Sequence, residues 1–218
     1  MKQVFYTTKQ AITVSNIFCI GRNYSDHIAE LNNQPSGLPL VFLKPTSALM
    51  TENQLIQLPE FSNEVDYEAE LLLLIGKEAK NISIEQALGV VSGYGIGLDL
   101  TARDLQAEAK AQGRPWTLAK GFDGAACISQ FVPAETIENP LELCFEMKLN
   151  GVIRQRGFVQ EMIFNLPYLI HYLSSKFTLQ PGDLVFTGTP AGTGALQKGD
   201  RIELSLADKI NAFFSVAS

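Results

Sequence analysis

Residues 66–76 read DYEAELLLLIG, acidic at one end and unbroken apolar at the other. The apolar half has the length and flanks of a strand buried on both faces. Such a strand needs apolar layers above and below it, so the segment belongs at the centre of a sheet-based core. Side chains alternate along a strand. Asp66, Glu68 and Glu70 are therefore expected on one face, each about 7 Å from the next, with Leu72 and Leu74 carrying that face into the core. Like charges at the rim of a core push protons onto one another. The face is tolerable if it is solvated, if basic partners neutralise it, or if a hard divalent cation such as Mg²⁺ sits among the oxygens. The stretch alone leaves all three open.

Around this strand the sequence offers more strands without a regular βαβ rhythm. NIFCIG (16–21), LVFLKP (40–45) and YGIGLDL (94–100) read as strands. NYSDHIAEL reads as a short helix with Asn23 as cap and Asp26 in its first turn. SIEQALGVVSG starts helical and then turns. TARDLQAEAKAQG reads as a helix, with Thr101 and Asp104 at capping-box spacing and Gly113 as its stop. LELCFEMKLNGVIRQRG alternates Leu141, Leu143, Phe145, Met147 and Leu149 up to Asn150-Gly151, a strong hairpin signal. NLPYLIHYLSSKF (165–177) is a helix capped by Asn165 with Pro167 in its first turn, and Leu166, Leu169, Ile170 and Leu173 share one face. QPGDLVFTG and QKGDRIELSL are turn-plus-strand units. NNQPSGLP (32–39) is the most loop-like stretch. The expected fold is α+β, a mixed or antiparallel rolled sheet with a few short peripheral helices, in one domain spanning 1–218.

The formal charge of -6 argues against non-specific nucleic-acid binding, which needs a basic face. It also means that an anionic substrate must be drawn by local positive charge. Cys19, Cys127 and Cys144 are widely spaced and contain no C-x-x-C pair, which fits three free thiols in a cytoplasmic protein. MKQVFYTTKQ lacks the apolar segment of a signal peptide, and no run approaches the roughly 18 apolar residues of a membrane span.

Two further features carry chemistry. Asp99 ends an apolar strand and precedes a helix, where it serves equally as a cap or as a functional group at a strand end. His27 and Glu30 lie i, i+3 on the short helix and can touch. A carboxylate beside imidazole fixes its tautomer and raises its basicity, as a general base needs, although the same spacing occurs on any amphipathic surface turn. His171 has no acidic neighbour at suitable spacing and reads as structural. TGTPAGTG lacks the Gly-Lys-Ser/Thr of a P-loop, and GYGIG lacks a full dinucleotide fingerprint.

In order along the chain, CIGRNYSDHIAE, LVFLKP, DYEAELLLLIG, GYGIGLDLTARDLQ, GRPWTLAKGFD, LNGVIRQRG and PGDLVFTGTPAGTG together resemble the fumarylacetoacetate hydrolase superfamily, in its small single-domain branch of acylpyruvate hydrolases and oxaloacetate decarboxylases. Thr193 stands where that resemblance leads one to expect valine. The resemblance implies Glu68, Glu70 and Asp99 as ligands of Mg²⁺ or Mn²⁺. It implies His27 and Glu30 as a catalytic dyad, and Lys120 as a positive group over developing substrate charge. Arg22, Arg103, Gln106 and Thr189 would contact substrate. The implied reaction is metal-dependent cleavage of a C–C bond in an acylpyruvate through a pyruvate enolate. Oxaloacetate decarboxylation or keto–enol tautomerisation on the same site is the alternative, and a non-catalytic dicarboxylate-binding protein is a further one. The resemblance also implies a homodimer acting on a small 2-oxo acid.

Overall fold

In the computed structural model of the chain, which describes residues 1–30, 37–52 and 54–218, the four-leucine run forms β8 (Ala69–Ile75), buried along its whole length. Strands are numbered along the chain. β8 lies in the middle of a mixed eight-stranded sheet with β3 (Ile17–Gly21), β4 (Leu40–Lys44), β5 (Leu49–Thr51), β9 (Val91–Asp99), β11 (Ala126–Ile128), β12 (Val132–Pro133) and β15 (Leu184–Phe186). The order is β4-β3-β15-β8-β9-β11-β5, and β12 pairs with the first part of β9. β15 runs parallel to β3 and antiparallel to β8.

A second sheet comprises β6 (Leu55–Ile56), β13 (Cys144–Leu149), β14 (Val152–Phe158), β17 (Arg201–Leu206) and β18 (Ile210–Val216), in the order β14-β13-β17-β18-β6. Asn150 and Gly151 join β13 to β14 with φ of 53° and 80°, the left-handed pair that a tight hairpin turn requires. β13 and β17 lie against β8 and β9, so one apolar cluster runs between the sheets. Three short strands, β7 (Val65–Tyr67), β10 (Thr101–Ala102) and β16 (Gly194–Ala195), form a third sheet, and β1 (Gln3–Phe5) pairs with β2 (Ala11–Thr13).

The helices are short: α1 (Ser25–Glu30), α2 (Ile84–Ala87), α3 (Arg103–Ala111), α4 (Thr117–Lys120) and α5 (Leu166–Lys176). α5 buries Leu166, Leu169, Ile170 and Leu173, and Asn165 accepts a capping hydrogen bond from the Tyr168 N–H at 3.0 Å. The expected α+β class holds: mixed sheets, one curled into a half-barrel, with few short helices.

Three local expectations differ from the structure. Asp66, Glu68 and Glu70 do not share one strand, because the chain changes sheet at Glu68. Asp66 pairs with Thr101 in the third sheet, and Glu70 pairs with Gly97 in the first. Asn23 does not cap α1. Its side chain is fully buried and ties the loop before α5 to the end of β15, donating to the carbonyls of Phe164 and Thr187 and accepting from the Phe164 N–H. Thr101 and Asp104 form no capping box. Ala102 is the N-cap of α3, while Asp104 accepts from the Ser62 hydroxyl and from the Asn63 N–H. The turn expected after α2 is present as a 3-10 turn over Leu88–Val90, and β9 then begins at Val91. Of the loop read at 32–39, residues 32–36 lie outside the described residues, as does Leu31 of the expected helix.

Candidate active site

The change of sheet at Glu68 builds the site. Leaving β7 and entering β8, the backbone of Ala69 cannot use ladder partners on both sides. Its N–H donates to the Gln155 side chain at 2.9 Å, and its carbonyl accepts from the Thr189 hydroxyl at 2.9 Å. The break turns Glu68 and Glu70 toward the end of β9, where Asp99 closes the apolar strand. The three buried carboxylates each offer an oxygen within 4.8 Å of the others'. A loop after β15 steadies them: the Gly188 N–H donates to Glu70 Oε2 at 2.7 Å. Gly188 has a φ of 105°, and a Cβ there would lie 2.6 Å from Asn23 Cβ. Gly188→Ala is therefore expected to move this loop off Glu70 and to weaken divalent-metal binding by roughly 10–100-fold. Calorimetric titration with Mn²⁺ checks this, and unchanged affinity would show that the loop does not position the ligand.

Three cations neutralise the cluster. Arg103 opens α3 and forks onto Asp66 Oδ2 and Glu68 Oε1, both at 2.7 Å, while its Nη1 donates to Gln106 Oε1 at 2.8 Å. Lys120, at the end of α4, bridges Glu68 Oε2 at 2.8 Å and Asp99 Oδ2 at 2.7 Å. Lys44, at the end of β4, lies 2.7 Å from Asp99 Oδ1, without hydrogen-bond geometry, and donates to the carbonyls of Leu100 and Lys120. With all four carboxylates ionised, they outnumber these three cations by one. Burial would raise the Glu68 pKa, but Lys120 and Arg103 outweigh it and hold the carboxyl well below the usual carboxylate range. Glu70 goes the other way: burial, with Asp99 and Glu68 beside it, pushes its pKa well up. Three clustered carboxylates, one of which resists ionising, and an Asp99 oxygen with no hydrogen bond suit a hard cation, so the residues present fit a divalent metal.

The sequence-predicted residues converge. His27, Arg22, Glu68, Glu70, Asp99, Arg103, Gln106, Lys120 and Thr189 line one cavity. Glu30 stands behind His27, with Oε2 3.4 Å from Nδ1, and is held in turn by the Gly192 N–H at 3.1 and 3.2 Å. Burial lowers the His27 pKa below 6.5, against the smaller raising effects of Glu68 and Glu30. Arg22 lines the cavity with a φ of 61°, a strained backbone of the kind that clusters at functional sites. Two placements refine the expectations. The Thr189 hydroxyl is already engaged, donating to Ala69 and accepting from Gln155 Nε2 at 2.8 Å, and the Lys120 ammonium is shared between two carboxylates. His171 is held outside the site on the Ile82 carbonyl.

Sequence reasoning missed Lys44, Phe42 and Trp116. Phe42 and Trp116 meet edge-to-face at 5.8 Å and form the apolar wall, with the Lys120 ammonium 5.1 Å from the centre of the Phe42 ring. Lys44 had a signal. A lysine closing an apolar strand has to find carboxylates or carbonyls once buried.

The arrangement matches known proteins over nearly its whole length. The family described as "Fumarylacetoacetate (FAA) hydrolase C-terminal" matches residues 16–213. The chain is 42% identical over 201 residues to the mouse protein named oxaloacetate tautomerase FAHD1, mitochondrial, covering 92% of this chain and 91% of that one. The crystal structure of fumarylpyruvate hydrolase from Pseudomonas aeruginosa with Mn²⁺ and pyruvate superposes with a TM-score of 0.94 at 34% identity, covering 99% of this chain and 95% of that one. That of 2-hydroxyhepta-2,4-diene-1,7-dioate isomerase from Mycobacterium marinum gives 0.83 at 32% identity, covering 94% and 75%. With this breadth of match and this constellation of carboxylates, the chain belongs to the fumarylacetoacetate hydrolase family.

Proposed function

We propose that residues 1–218 act as one catalytic domain that hydrolyses a C–C bond in acylpyruvate-type 2,4-dioxo acids, such as fumarylpyruvate or acetylpyruvate, with Mg²⁺ or Mn²⁺. The observation that carries this reading is the closeness of Glu68, Glu70 and Asp99 in the same cavity as a His–Glu pair. Those three residues would hold the ion, and a solved neighbour containing Mn²⁺ and pyruvate supports it. When bound, the ion supplies Lewis-acid polarisation of the oxo and carboxylate oxygens of the substrate. Glu30 keeps a proton on His27 Nδ1, which leaves Nε2 as the basic nitrogen. Nε2 takes a proton from water as its oxygen bonds to the distal carbonyl carbon. The C–C bond then breaks, the new acid departs, and His27 returns the proton to the carbon of pyruvate. Lys120 lies beside the developing negative charge, and Phe42 and Trp116 limit water at the reacting atoms.

This reading has a pH signature. His27 must be neutral to act as base, and its pKa lies below 6.5 because it is buried. A nearby dication shifts it further in the same direction. At saturating Mn²⁺, the ultraviolet absorbance of an acylpyruvate enol is expected to decay with a kcat/KM that is flat from pH 7 to 8 and falls on the acid side with a midpoint below about 6.5. No metal-dependent decay across a panel of acylpyruvates contradicts the hydrolase reading, and a midpoint above 6.5 contradicts His27 as base.

A second reading is favoured by the identity to the mouse tautomerase: keto–enol interconversion or decarboxylation of oxaloacetate at the same site. The family likeness supports a homodimer. The free thiols Cys19, Cys127 and Cys144 support a reducing compartment, for which we propose the cytoplasm. Among the described residues, no helix is long and apolar enough to cross a membrane.

A further inference from the structure

The face of α3 that builds the site does not end at Gln106. Arg103, Gln106 and Lys110 are spaced i, i+3, i+7, one stripe of a helix, and all three line the cavity. Arg103 and Gln106 are committed to each other and to the carboxylate cluster. Lys110 is not. It lies about 10 Å further along the helix than Arg103. Its ammonium rests 5.3 Å from the centre of the Trp116 ring, and among the described residues it has no carboxylate within ion-pair distance. Its electrostatic surroundings are cationic. Burial, Arg22 and Arg103 all lower the Lys110 pKa, opposed by Glu68. An exposed lysine whose ammonium lies against Trp116, on the wall of a substrate cavity that also holds Arg22 and Arg103, is placed to meet an anion delivered from outside.

We propose that Lys110 forms a distal anion subsite that selects oxo acids carrying a second carboxylate at the end remote from the metal ligands. This rests on the reading of the cavity as an oxo-acid site. In that reading the carboxylate triad takes the near end of the substrate, and α3 runs from that end to the mouth with Lys110 on its outer turn. The subsite makes Lys110 a specificity-determining residue and narrows the substrate class to dicarboxylates of the fumarylpyruvate kind over neutral acylpyruvates such as acetylpyruvate.

The test is equilibrium binding, measured by calorimetry on Mn²⁺-loaded protein. The probes are oxalate, the dicarboxylates 2-oxoglutarate and 2-oxoadipate, and their chain-matched monocarboxylates 2-oxopentanoate and 2-oxohexanoate. The native protein is expected to bind at least one dicarboxylate roughly tenfold or more tightly than its monocarboxylate match. Lys110→Met is expected to remove roughly 10–100-fold of dicarboxylate affinity while leaving oxalate and the monocarboxylates within about twofold, and Lys110→Arg is expected to retain most of the preference. Equal weakening of every probe in Lys110→Met would make Lys110 a structural residue and overturn the subsite. So would a native protein without preference, or a Lys110→Met variant that keeps it. Failure of the native protein to bind even oxalate would instead remove the oxo-acid reading itself, and the subsite with it.

Discussion

A His27→Ala variant is expected to lose acylpyruvate cleavage by roughly 10²–10⁴-fold while keeping oxaloacetate decarboxylation within a few-fold. The split follows from what each reaction asks of the imidazole. Hydrolysis needs a water deprotonated as it attacks, and in the proposed mechanism the base is His27, a buried imidazole lining the cavity with Glu30 beside Nδ1. Decarboxylation releases carbon dioxide without attack by water, so in the proposed mechanism an ion held by Glu68, Glu70 and Asp99 would suffice. Keto–enol interconversion of oxaloacetate moves a proton on carbon and is expected to fall with hydrolysis. Steady-state rates for the three reactions, measured on one preparation at saturating Mn²⁺, separate the cases. Equal loss of hydrolysis and decarboxylation would show that His27 supports the site as a whole and is not the base.

The second large effect belongs to Lys44. Its side chain is fully buried and lies 2.7 Å from Asp99 Oδ1. Lys44→Met removes one partner of a buried pair, which costs about 3–5 kcal/mol. For a chain of this size that corresponds to a fall in Tm of roughly 6–20 °C. Asp99 keeps its position through β9 and through Lys120 at 2.7 Å, and a divalent ion takes over part of the lost neutralisation. The rise in Tm on adding Mn²⁺ is therefore expected to be larger in the variant than in the native protein. A fall in Tm of a degree or less would mean that the pair contributes little. A smaller Mn²⁺ increment than native would mean that Lys44 assembles the ligands rather than balancing their charge.

Elements whose signal is local were legible in the sequence. The Asn150-Gly151 hairpin, the Asn165-capped α5 and the leucine run of β8 are each fixed by a few neighbouring residues, and each forms where expected. Glu68, Glu70 and Asp99 were legible as carboxylates at strand ends and His27–Glu30 as a pair at helical spacing, whereas Arg22, Arg103, Gln106, Lys120 and Thr189 were marked only by the family resemblance. What escaped depends on partners distant in sequence. The change of sheet at Glu68 is set by Gln155 and Thr189, more than 80 residues away, so alternation along 66–70 could not reveal it. Asn23 resembles a cap in its local sequence, yet its amide is claimed by the carbonyls of Phe164 and Thr187, 141 and 164 residues on. β18, Ile210–Val216, alternates buried and exposed residues, but the sequence reading found no motif there. Its pairing with β17 completes the second sheet. Lys44 was passed over because its carboxylate partner belongs to another strand.

The account depends on one cation held by side chains from β9 and from the junction of β7 and β8. Anomalous scattering at the manganese edge, from crystals grown with Mn²⁺ and oxalate, locates that ion directly. The expected result is one strong peak bonded to a carboxylate oxygen from each of Glu68, Glu70 and Asp99, with oxalate completing its coordination between that peak and His27. A peak elsewhere, or ordered oxalate with no peak among those three carboxylates, would contradict it.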